Sequence, residues 1–333
     1  MARMPLRLLG RTGVKVSTLA LGCMSFGGDA DEATAAALYG KAREAGINFF
    51  DTADVYNGGR SEELLGRCSA HERDRIVVAT KAYFPTSDDA NARGTSRYHL
   101  VRACEASLRR LGRDAVDVYY LHRFDDVTAL DETLRAVDDL VRAGKILYPA
   151  CSNFAAWQVA RALGLAELHR LAPLVAVQPM YNLLKRQAEV ELLPMAQALG
   201  VAVVPYSPTA GGLLTGKWGA GKRSEGTRLA TNAMYQTRYA DPAYYAAADG
   251  LTAIAGELGH TPAALAIAWV ASHPGVTSVL LGARDVAQLE ANLAAASIDM
   301  TADLRARISS LTPEPPPATD RNEERTAANY GQR

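Results

Sequence analysis

Asp51 and Tyr56 follow a mostly apolar segment, in a pattern that could support acid-base chemistry. Residues 47–50 predict a short strand, with Asp51 at its exit and Tyr56 in the Gly-rich loop after it. Burial and a charged neighbour can shift the pKa values of both groups, which suits proton transfer. The same pattern also fits a solvated turn with a surface tyrosine, so the two residues alone do not decide the matter.

Lys81 and His122 follow two other apolar segments in the same way. Taken singly, Lys81 fits a solvated strand end and His122 fits a hydrogen-bonded core histidine. Taken together, they occupy equivalent positions of a repeated pattern, which favours a shared site. Other polar residues at such positions are Ser152, Asn153, Gln178, Tyr206 and Arg284.

These residue types suit proton delivery to a carbonyl oxygen. Tyrosine has a free pKa of ~10, so it is a poor acid at neutral pH unless a neighbour changes that pKa. A nearby Lys81 ammonium is expected to lower the pKa of Tyr56, and Asp51 to hold that ammonium charged. His122 adds a second hydrogen-bond donor or a relay. None of these side chains supplies a hydride, so a reduction requires a redox cofactor.

The elements that must position these residues alternate regularly along the chain. Strands are predicted at residues 18–21, 47–50, 76–79, 116–121, 146–150, 174–177, 201–204 and 276–281. Helices are predicted at residues 31–45, 61–68, 96–111, 130–143, 155–168, 188–199, 244–258 and 286–295. Such alternation predicts a parallel sheet, and eight units favour a (β/α)8 TIM barrel over an open doubly wound sheet. In a barrel of this kind, the active site lies at the C-terminal ends of the strands.

Four further segments complete the predicted organisation of the chain. Residues 6–15 predict an N-terminal β-hairpin, and residues 262–272 an extra C-terminal helix. Residues 207–239, rich in Gly, Thr and Ser, predict a long covering loop or a disordered segment. We expect one barrel domain over residues 1–312 and a Pro-rich, charged tail, extended or disordered, over residues 313–333.

The composition excludes several classes of partner. The 36 basic and 36 acidic residues give a formal net charge of zero, which argues against nucleic acid and acidic membrane surfaces. The four cysteines are scattered without a CxxC pair, as in proteins with reduced thiols. No membrane-spanning run and no signal-peptide pattern is present, so we expect a cytoplasmic protein. No metal site is predicted.

The chain resembles the aldo-keto reductases from about residue 6 to residue 312. The segments that carry the resemblance are FFDTADVYNGGRSEELLG, VVATK, VDVYYLHRFD, CSNF, VQPMYN, VPYSPTAGGLLTGK and VLLGARDVAQLEANL. This combination in this order is highly specific, and its SEELLG, LLTGK and GAR motifs resemble the bacterial and potassium-channel-β-subunit branch more than the mammalian steroid-reducing branch. The resemblance implies a (β/α)8 barrel with an N-terminal hairpin. It also implies a catalytic tetrad, which maps onto Asp51, Tyr56, Lys81 and His122.

The resemblance further implies NADPH bound across the strand ends. The implied cofactor-binding residues are Ser152, Asn153, Gln178, Tyr206, Ser207, Pro208, Gly211, Leu213, Gly282, Ala283, Arg284, Gln288 and Asn292. Arg284 suits the 2′-phosphate, because a guanidinium binds phosphate through two hydrogen bonds. Many relatives have a Lys and a further Arg where this chain has Gly282 and Gln288, so NADPH is expected with its strictness over NADH open. Apolar pocket linings are expected at Met24, Phe26, Phe84 and Phe124, although ordinary packing explains each of these as well.

Three functions follow as hypotheses. The leading one is an NADPH-dependent reduction of an aldehyde or ketone to the alcohol, with Tyr56 as the proton donor. The second is an NADPH-binding regulatory subunit with slow turnover, as channel β-subunits of the family are. The third is a Schiff-base lyase that uses Lys81. The particular carbonyl substrate and the oligomeric state are not encoded in any motif of the sequence.

Overall fold

Ten β-strands run through the computed structural model, which describes residues 4–328. In chain order they are β1 (Leu6–Leu8), β2 (Lys15–Ser17), β3 (Leu19–Gly22), β4 (Phe49–Asp51), β5 (Val77–Ala82), β6 (Val116–Leu121), β7 (Ile146–Ser152), β8 (Ala176–Gln178), β9 (Ala202–Val203) and β10 (Val279–Gly282). All eight strands predicted for the barrel are present. Several extend further than predicted and include polar residues such as Asp51 and Ser152, because backbone pairing does not require an apolar side chain.

Strands β3 to β10 form one parallel sheet with the order β10-β3-β4-β5-β6-β7-β8-β9. Its two outer strands meet: the Thr277 N–H donates to Val203 O at 2.8 Å and the Leu280 N–H to Pro205 O at 3.0 Å. The pairing is irregular here because Pro205 has no N–H to donate to β10. The sheet thus closes into the predicted (β/α)8 barrel.

Twelve α-helices surround or extend this barrel in the described part of the chain. They are α1 (Glu32–Glu44), α2 (Arg60–Cys68), α3 (Arg97–Leu111), α4 (Leu130–Arg142), α5 (Ala156–His169), α6 (Leu192–Leu199), α7 (Arg228–Thr231), α8 (Ala233–Arg238), α9 (Pro242–Glu257), α10 (Pro262–Ala271), α11 (Val286–Leu293) and α12 (Ala302–Ser309). Every predicted helix is found, whereas α7, α8 and α12 are additional to the prediction. None of the helices within residues 4–328 is long and apolar enough to span a membrane.

The segment predicted as a long loop over residues 207–239 contains helical structure. A 3₁₀ helix, Ala210–Thr215, begins it, and α7 and α8 follow. Asn232 caps α8 by accepting a hydrogen bond from the Met234 N–H at 3.0 Å, and buried Leu229 and Tyr239 anchor the segment in the core. Composition hides these short helices because glycine and threonine favour loops.

The N-terminal hairpin β1–β2 supplies the floor of the barrel. Its Leu9 and Val16 are fully buried in the inner core, which is otherwise made of inward-facing strand residues. Alanines from five strands leave room there for the larger rings of Phe49 and Tyr120. The alanines are Ala20, Ala79, Ala150, Ala176 and Ala202. This packing fills the lower barrel and leaves the C-terminal ends of the strands as the expected place for a ligand.

Gly10 lets the hairpin turn approach the barrel backbone closely. Its φ is +58°, and a Cβ there would lie 2.8 Å from Val175 O and 3.0 Å from Gly200 O. Gly13 has a similar φ of +79° but open space around it. We expect Gly10→Ala to destabilise the protein by about 2–4 kcal/mol and Gly13→Ala by about 1 kcal/mol, because only the first adds a backbone clash to the φ penalty. Urea unfolding of both variants measures the difference, and equal losses would contradict the close-approach explanation.

The tail after Thr312 is largely irregular. Thr312 Oγ1 donates to Leu183 O at 3.0 Å, and one 3₁₀ turn, Asn322–Arg325, follows. The last residues of the predicted tail, 329–333, lie outside the described part of the chain.

Candidate active site

The four predicted tetrad residues converge at the C-terminal edge of the sheet. Asp51 is the last residue of β4, Lys81 lies near the end of β5, and His122 directly follows β6. Tyr56 begins a 3₁₀ turn, Tyr56–Gly59, in the loop after β4. Adjacent parallel strands end at the same edge, so residues distant in the chain become neighbours.

Asp51 and Lys81 form a buried ion pair. Lys81 Nζ contacts Asp51 Oδ1 and also donates to Thr52 O at 2.7 Å. Gln178 Nε2 donates to the other carboxylate oxygen of Asp51 at 2.8 Å. Burial alone lowers the pKa of Lys81, but the nearby Asp51 and Tyr56 outweigh it and raise that pKa overall. A lysine that stays protonated is a poor Schiff-base nucleophile, so this geometry disfavours the lyase hypothesis.

Tyr56 lies between Lys81 and His122. Lys81 Nζ is 5.2 Å from the centre of the Tyr56 ring, and the His122 ring meets it edge-on with centroids 5.9 Å apart. Lys81 lowers the pKa of Tyr56, as the sequence predicts, but burial is the larger effect and the pKa is raised. Desolvation of the phenolate therefore outweighs one ammonium group, and Tyr56 is a protonated phenol at neutral pH.

His122 is an uncharged imidazole beside Tyr56. Burial and the charge of Lys81 hold the pKa of His122 well below its usual range. Its Nδ1 has no hydrogen-bond partner among the described residues, and Phe84 packs edge-on against its ring with centroids 4.9 Å apart. A neutral imidazole can still donate one hydrogen bond to an oxygen, so the predicted donor role remains chemically available.

The loop that carries Tyr56 is held by contacts that the sequence analysis did not identify. Asn57 has a φ of +50° and its Nδ2 donates to Met24 O and Phe26 O at 2.9 and 2.8 Å. Asparagine tolerates this left-handed conformation better than most residues, which is the only signal the sequence offered. Asn57 thereby ties the Tyr56 loop to the loop after β3.

The residues expected to hold a nicotinamide form one hydrogen-bonded network. Asn153 Nδ2 donates to His122 O and to Ser152 Oγ, while Asn153 Oδ1 accepts from the Tyr206 hydroxyl at 2.8 Å. Ser152 Oγ donates to Gln178 O at 2.8 Å. Because the amide N–H of Gln178 donates a hydrogen bond to Asp51, Gln178 stabilises the ion pair in addition to any role in cofactor binding.

The predicted covering segment begins directly after Tyr206 and is held by contacts within itself. Ser207 Oγ accepts a hydrogen bond from the Gly211 N–H at 3.2 Å, and the Tyr235 ring of α8 lies so close to Gly211 that a Cβ would be 2.4 Å from it. Pro208 is buried and Leu213 is fully buried in the core. The side chains of both residues therefore serve packing in this structure.

The predicted adenosine end lies between β10 and α11. Asn292 Nδ2 donates to Gly282 O at 3.0 Å, and Gln288 Oε1 accepts from the Arg284 N–H at 2.9 Å. Ala283 is buried, and Gly282 has open space around it. The Arg284 side chain is exposed, with no ion pair in residues 4–328, so its guanidinium is free for an anionic group.

Of the four predicted pocket residues, Phe84 lies at the site and Phe26 does not line it. Phe26 is completely buried in the main core, because the chain turns inward after β3. Met24 is 40% exposed, and Phe124 is partly buried against Phe154, with ring centroids 5.2 Å apart. Core packing accounts for Phe26 in this structure, and the pocket roles of all four residues stay predictions.

Comparisons with known proteins place this geometry in context. The model of the aldo/keto reductase family matches residues 18–312. An uncharacterized oxidoreductase of Bacillus subtilis, YrpG, is 39% identical, over 92% of this chain and 95% of its own. A probable voltage-gated potassium channel subunit beta of Arabidopsis thaliana is 38% identical, over 87% of this chain and 90% of its own. A putative subunit of the same type from Schizosaccharomyces pombe is 35% identical, over 93% of this chain and 90% of its own.

Proposed function

The chain belongs to the aldo/keto reductase family, and from that premise we propose that it is an NADPH-dependent oxidoreductase that reduces an aldehyde or ketone to the alcohol. The observation that supports this most is the buried Asp51–Lys81 pair beside Tyr56 and a neutral His122. That cluster matches what proton delivery to a carbonyl oxygen requires.

Each residue of the cluster has a distinct task in this proposal. Tyr56 gives its proton to the substrate oxygen as negative charge develops there. Lys81 stabilises the phenolate that remains, and Asp51 keeps the ammonium charged and oriented. His122 donates a hydrogen bond to the same oxygen without a charge of its own. The partly buried Phe84 next to His122 provides an apolar wall that keeps water from the reacting oxygen.

The residues present fit NADPH as the cofactor. When bound, NADPH supplies the hydride that no side chain of the site can provide. Ser152 and Asn153 offer polar groups for the nicotinamide amide, and Tyr206 offers a ring beside it. Gly282 leaves space for a close approach, and the free guanidinium of Arg284 fits a phosphate.

Arg284→Ala is expected to weaken NADPH binding by about 10–100-fold and to leave NADH binding nearly unchanged. The reason is that only NADPH carries the 2′-phosphate, and a charge-assisted hydrogen bond contributes about 1.5–3 kcal/mol. Fluorescence titration of both cofactors measures the two Kd values. Arg135→Ala, at an exposed position of α4, is the matched control and should change neither. Equal losses for NADPH and NADH in Arg284→Ala would contradict the assignment.

A panel of aldehydes and ketones tests the reaction itself. The purified protein should oxidise NADPH with at least one of these carbonyl compounds in multiple turnovers, and should form the corresponding alcohol. The absence of turnover with every compound, despite tight NADPH binding, would contradict the proposal.

A regulatory role is the second candidate, because two of the relatives are named as potassium channel β-subunits. A regulatory subunit would hold NADPH tightly and oxidise it slowly. Stopped-flow mixing of the NADPH-loaded protein with a reactive aldehyde separates the two candidates. An oxidation rate that matches the steady-state kcat supports the enzyme, whereas one slow oxidation without further turnover supports the regulatory subunit.

A further inference from the structure

A second group of charged side chains is buried between the sheet and helices α2 and α3. Glu62 of α2 is completely buried and accepts hydrogen bonds from Thr80 Oγ1 at 2.5 Å and Arg110 Nε at 2.6 Å. Asp54, in the loop after β4, is also buried, with 2% of its surface exposed. No donor in residues 4–328 makes a hydrogen bond to either of its carboxyl oxygens.

The buried charges balance only if one carboxyl group holds a proton. Lys81 neutralises Asp51, and Arg110 neutralises Glu62. Asp54 is a third carboxyl group, and no cation in the described part of the chain pairs with it. A buried carboxylate without a partner is strongly disfavoured, whereas the neutral acid of the same shape is not. The proton therefore belongs on Asp54.

The electrostatic surroundings of Asp54 agree with this balance. Burial raises the pKa of Asp54 to about 7, and the charge of Glu62 acts in the same direction. The charges of Arg110 and Lys81 and the nearby Val55 N–H, which makes no well-formed hydrogen bond to the carboxyl group, lower that pKa, but by less than burial and Glu62 raise it. Asp54 can thus lose its proton near neutral pH.

The other groups around the cluster whose pKa values are shifted are moved away from neutral pH. Burial raises the pKa of Tyr119, on β6, well above its usual range, and that of Cys104, on α3, to about 12. The pKa values of Tyr56 and Lys81 are also raised, and that of His122 is lowered well below its usual range. A charge change near pH 7 would therefore originate at Asp54.

Asp54 is coupled to the candidate active site through Lys81. Its N–H donates to Lys81 O at 3.1 Å, and the charge of Lys81 affects the pKa of Asp54. Coupling of this kind is reciprocal, so a negative charge on Asp54 offsets part of the positive charge of Lys81. The phenolate that forms when Tyr56 gives up its proton is then stabilised by less positive charge.

We propose that Asp54 is a positioning residue that holds a proton in the active protein, and that its ionisation converts the site to a less active charge state. The kinetic part rests on the reductase function proposed above. The protonation of Asp54 does not depend on that function, and the two parts can be tested separately.

The kinetic test compares the wild type with Asp54→Asn, which is neutral at every pH and has nearly the shape of the protonated acid. With NADPH and carbonyl substrate saturating, kcat of the wild type should fall about three- to tenfold between pH 6 and pH 8, a Coulombic effect of one partly screened charge. Asp54→Asn should lack this fall. Asp131→Asn, at an exposed position in the first turn of α4, is the control and should retain it.

The stability test needs no activity. The pKa of Asp54 in the folded protein lies above its unfolded value of about 4, so the folded state binds the proton more tightly. This stabilisation is complete below about pH 4 and is lost as the pH rises to about 7. Between pH 5 and pH 8, the folding equilibrium constant of the wild type should therefore fall relative to that of Asp54→Asn, by up to about a hundredfold. The difference in Tm between the two proteins should grow over the same range.

A third variant removes the negative charge of Glu62, which Arg110 neutralises. Glu62→Gln leaves Arg110 without its carboxylate, so the charge of Arg110 acts on Asp54 without a competitor and the pKa of Asp54 should fall. The fall in kcat of this variant should then move to lower pH by at least about one pH unit, since both the repulsion from Glu62 and the competition for Arg110 are removed.

The outcomes separate the two parts. The same pH dependence of Tm in wild type and Asp54→Asn would overturn the protonation, and a retained fall of kcat in Asp54→Asn would overturn its link to the site. A Tm difference in a protein that reduces no carbonyl compound would support the protonation and overturn the reductase function instead. If Asp54→Asn does not fold, ¹³C NMR of wild type with labelled aspartate carboxyls decides: a resonance that titrates near pH 7 supports the proposal, and its absence overturns it.

Discussion

Tyr56→Phe is expected to lower kcat for carbonyl reduction by about 10²–10⁴-fold, the usual contribution of a positioned general acid. The substitution removes one hydroxyl and keeps the ring that Lys81 and His122 contact. Because burial raises its pKa, Tyr56 is fully protonated at neutral pH and holds the proton that the proposed reaction delivers to the substrate oxygen, while Lys81 offsets part of the effect of burial. His122, an uncharged imidazole, cannot replace it as an acid.

The measurement compares kcat, kcat/KM and the NADPH Kd of the wild type and Tyr56→Phe. We expect kcat and kcat/KM to fall together and the Kd to change little, since the loss concerns the transition state. Tyr98→Phe removes a hydroxyl from an exposed tyrosine of α3 and is the control for effects of substitution and purification that do not involve the site. Undiminished turnover in Tyr56→Phe would show that another group delivers the proton.

The positions of the tetrad residues could be predicted because a barrel makes strand ends equivalent. Lys81 and His122 are ambiguous one at a time, but a parallel closed sheet leaves them no other edge at which to lie. The same reasoning does not reach the pKa of Tyr56. The direction in which this pKa is shifted depends on how deeply the ring is buried, which no motif encodes. In the structure, burial outweighs the effect of Lys81.

Features that depend on the conformation of one residue or on one local packing contact were not predictable. The left-handed Asn57 that ties down the Tyr56 loop, and the inward turn that buries Phe26, leave only weak traces in composition. The Asp54–Glu62 arrangement needs α2, α3 and β5 to be placed first. Glu62 belongs to a recognisable motif, yet its partner Arg110 lies on another helix.

Lys81→Met is expected to destabilise the protein by about 3–5 kcal/mol and to lower kcat by at least about a hundredfold. The destabilisation follows because Asp51 remains buried without a cation, which is the usual consequence of breaking a buried pair from one side. The loss of turnover follows because Lys81 is the group that lowers the pKa of Tyr56 against the effect of burial. Urea unfolding and steady-state kinetics measure the two effects on one preparation.

The double variant Asp51→Asn/Lys81→Met separates these two effects. Asparagine keeps an oxygen for the Gln178 amide, and removing both charges leaves no unpaired ion at this position, so the double variant should recover at least about half of the lost stability. Turnover should stay as low as in Lys81→Met, because the phenolate of Tyr56 still has no ammonium beside it. A double variant that regained both stability and turnover would show that Lys81 only maintains the fold. Recovered stability without recovered turnover would show that the ammonium acts on Tyr56 directly.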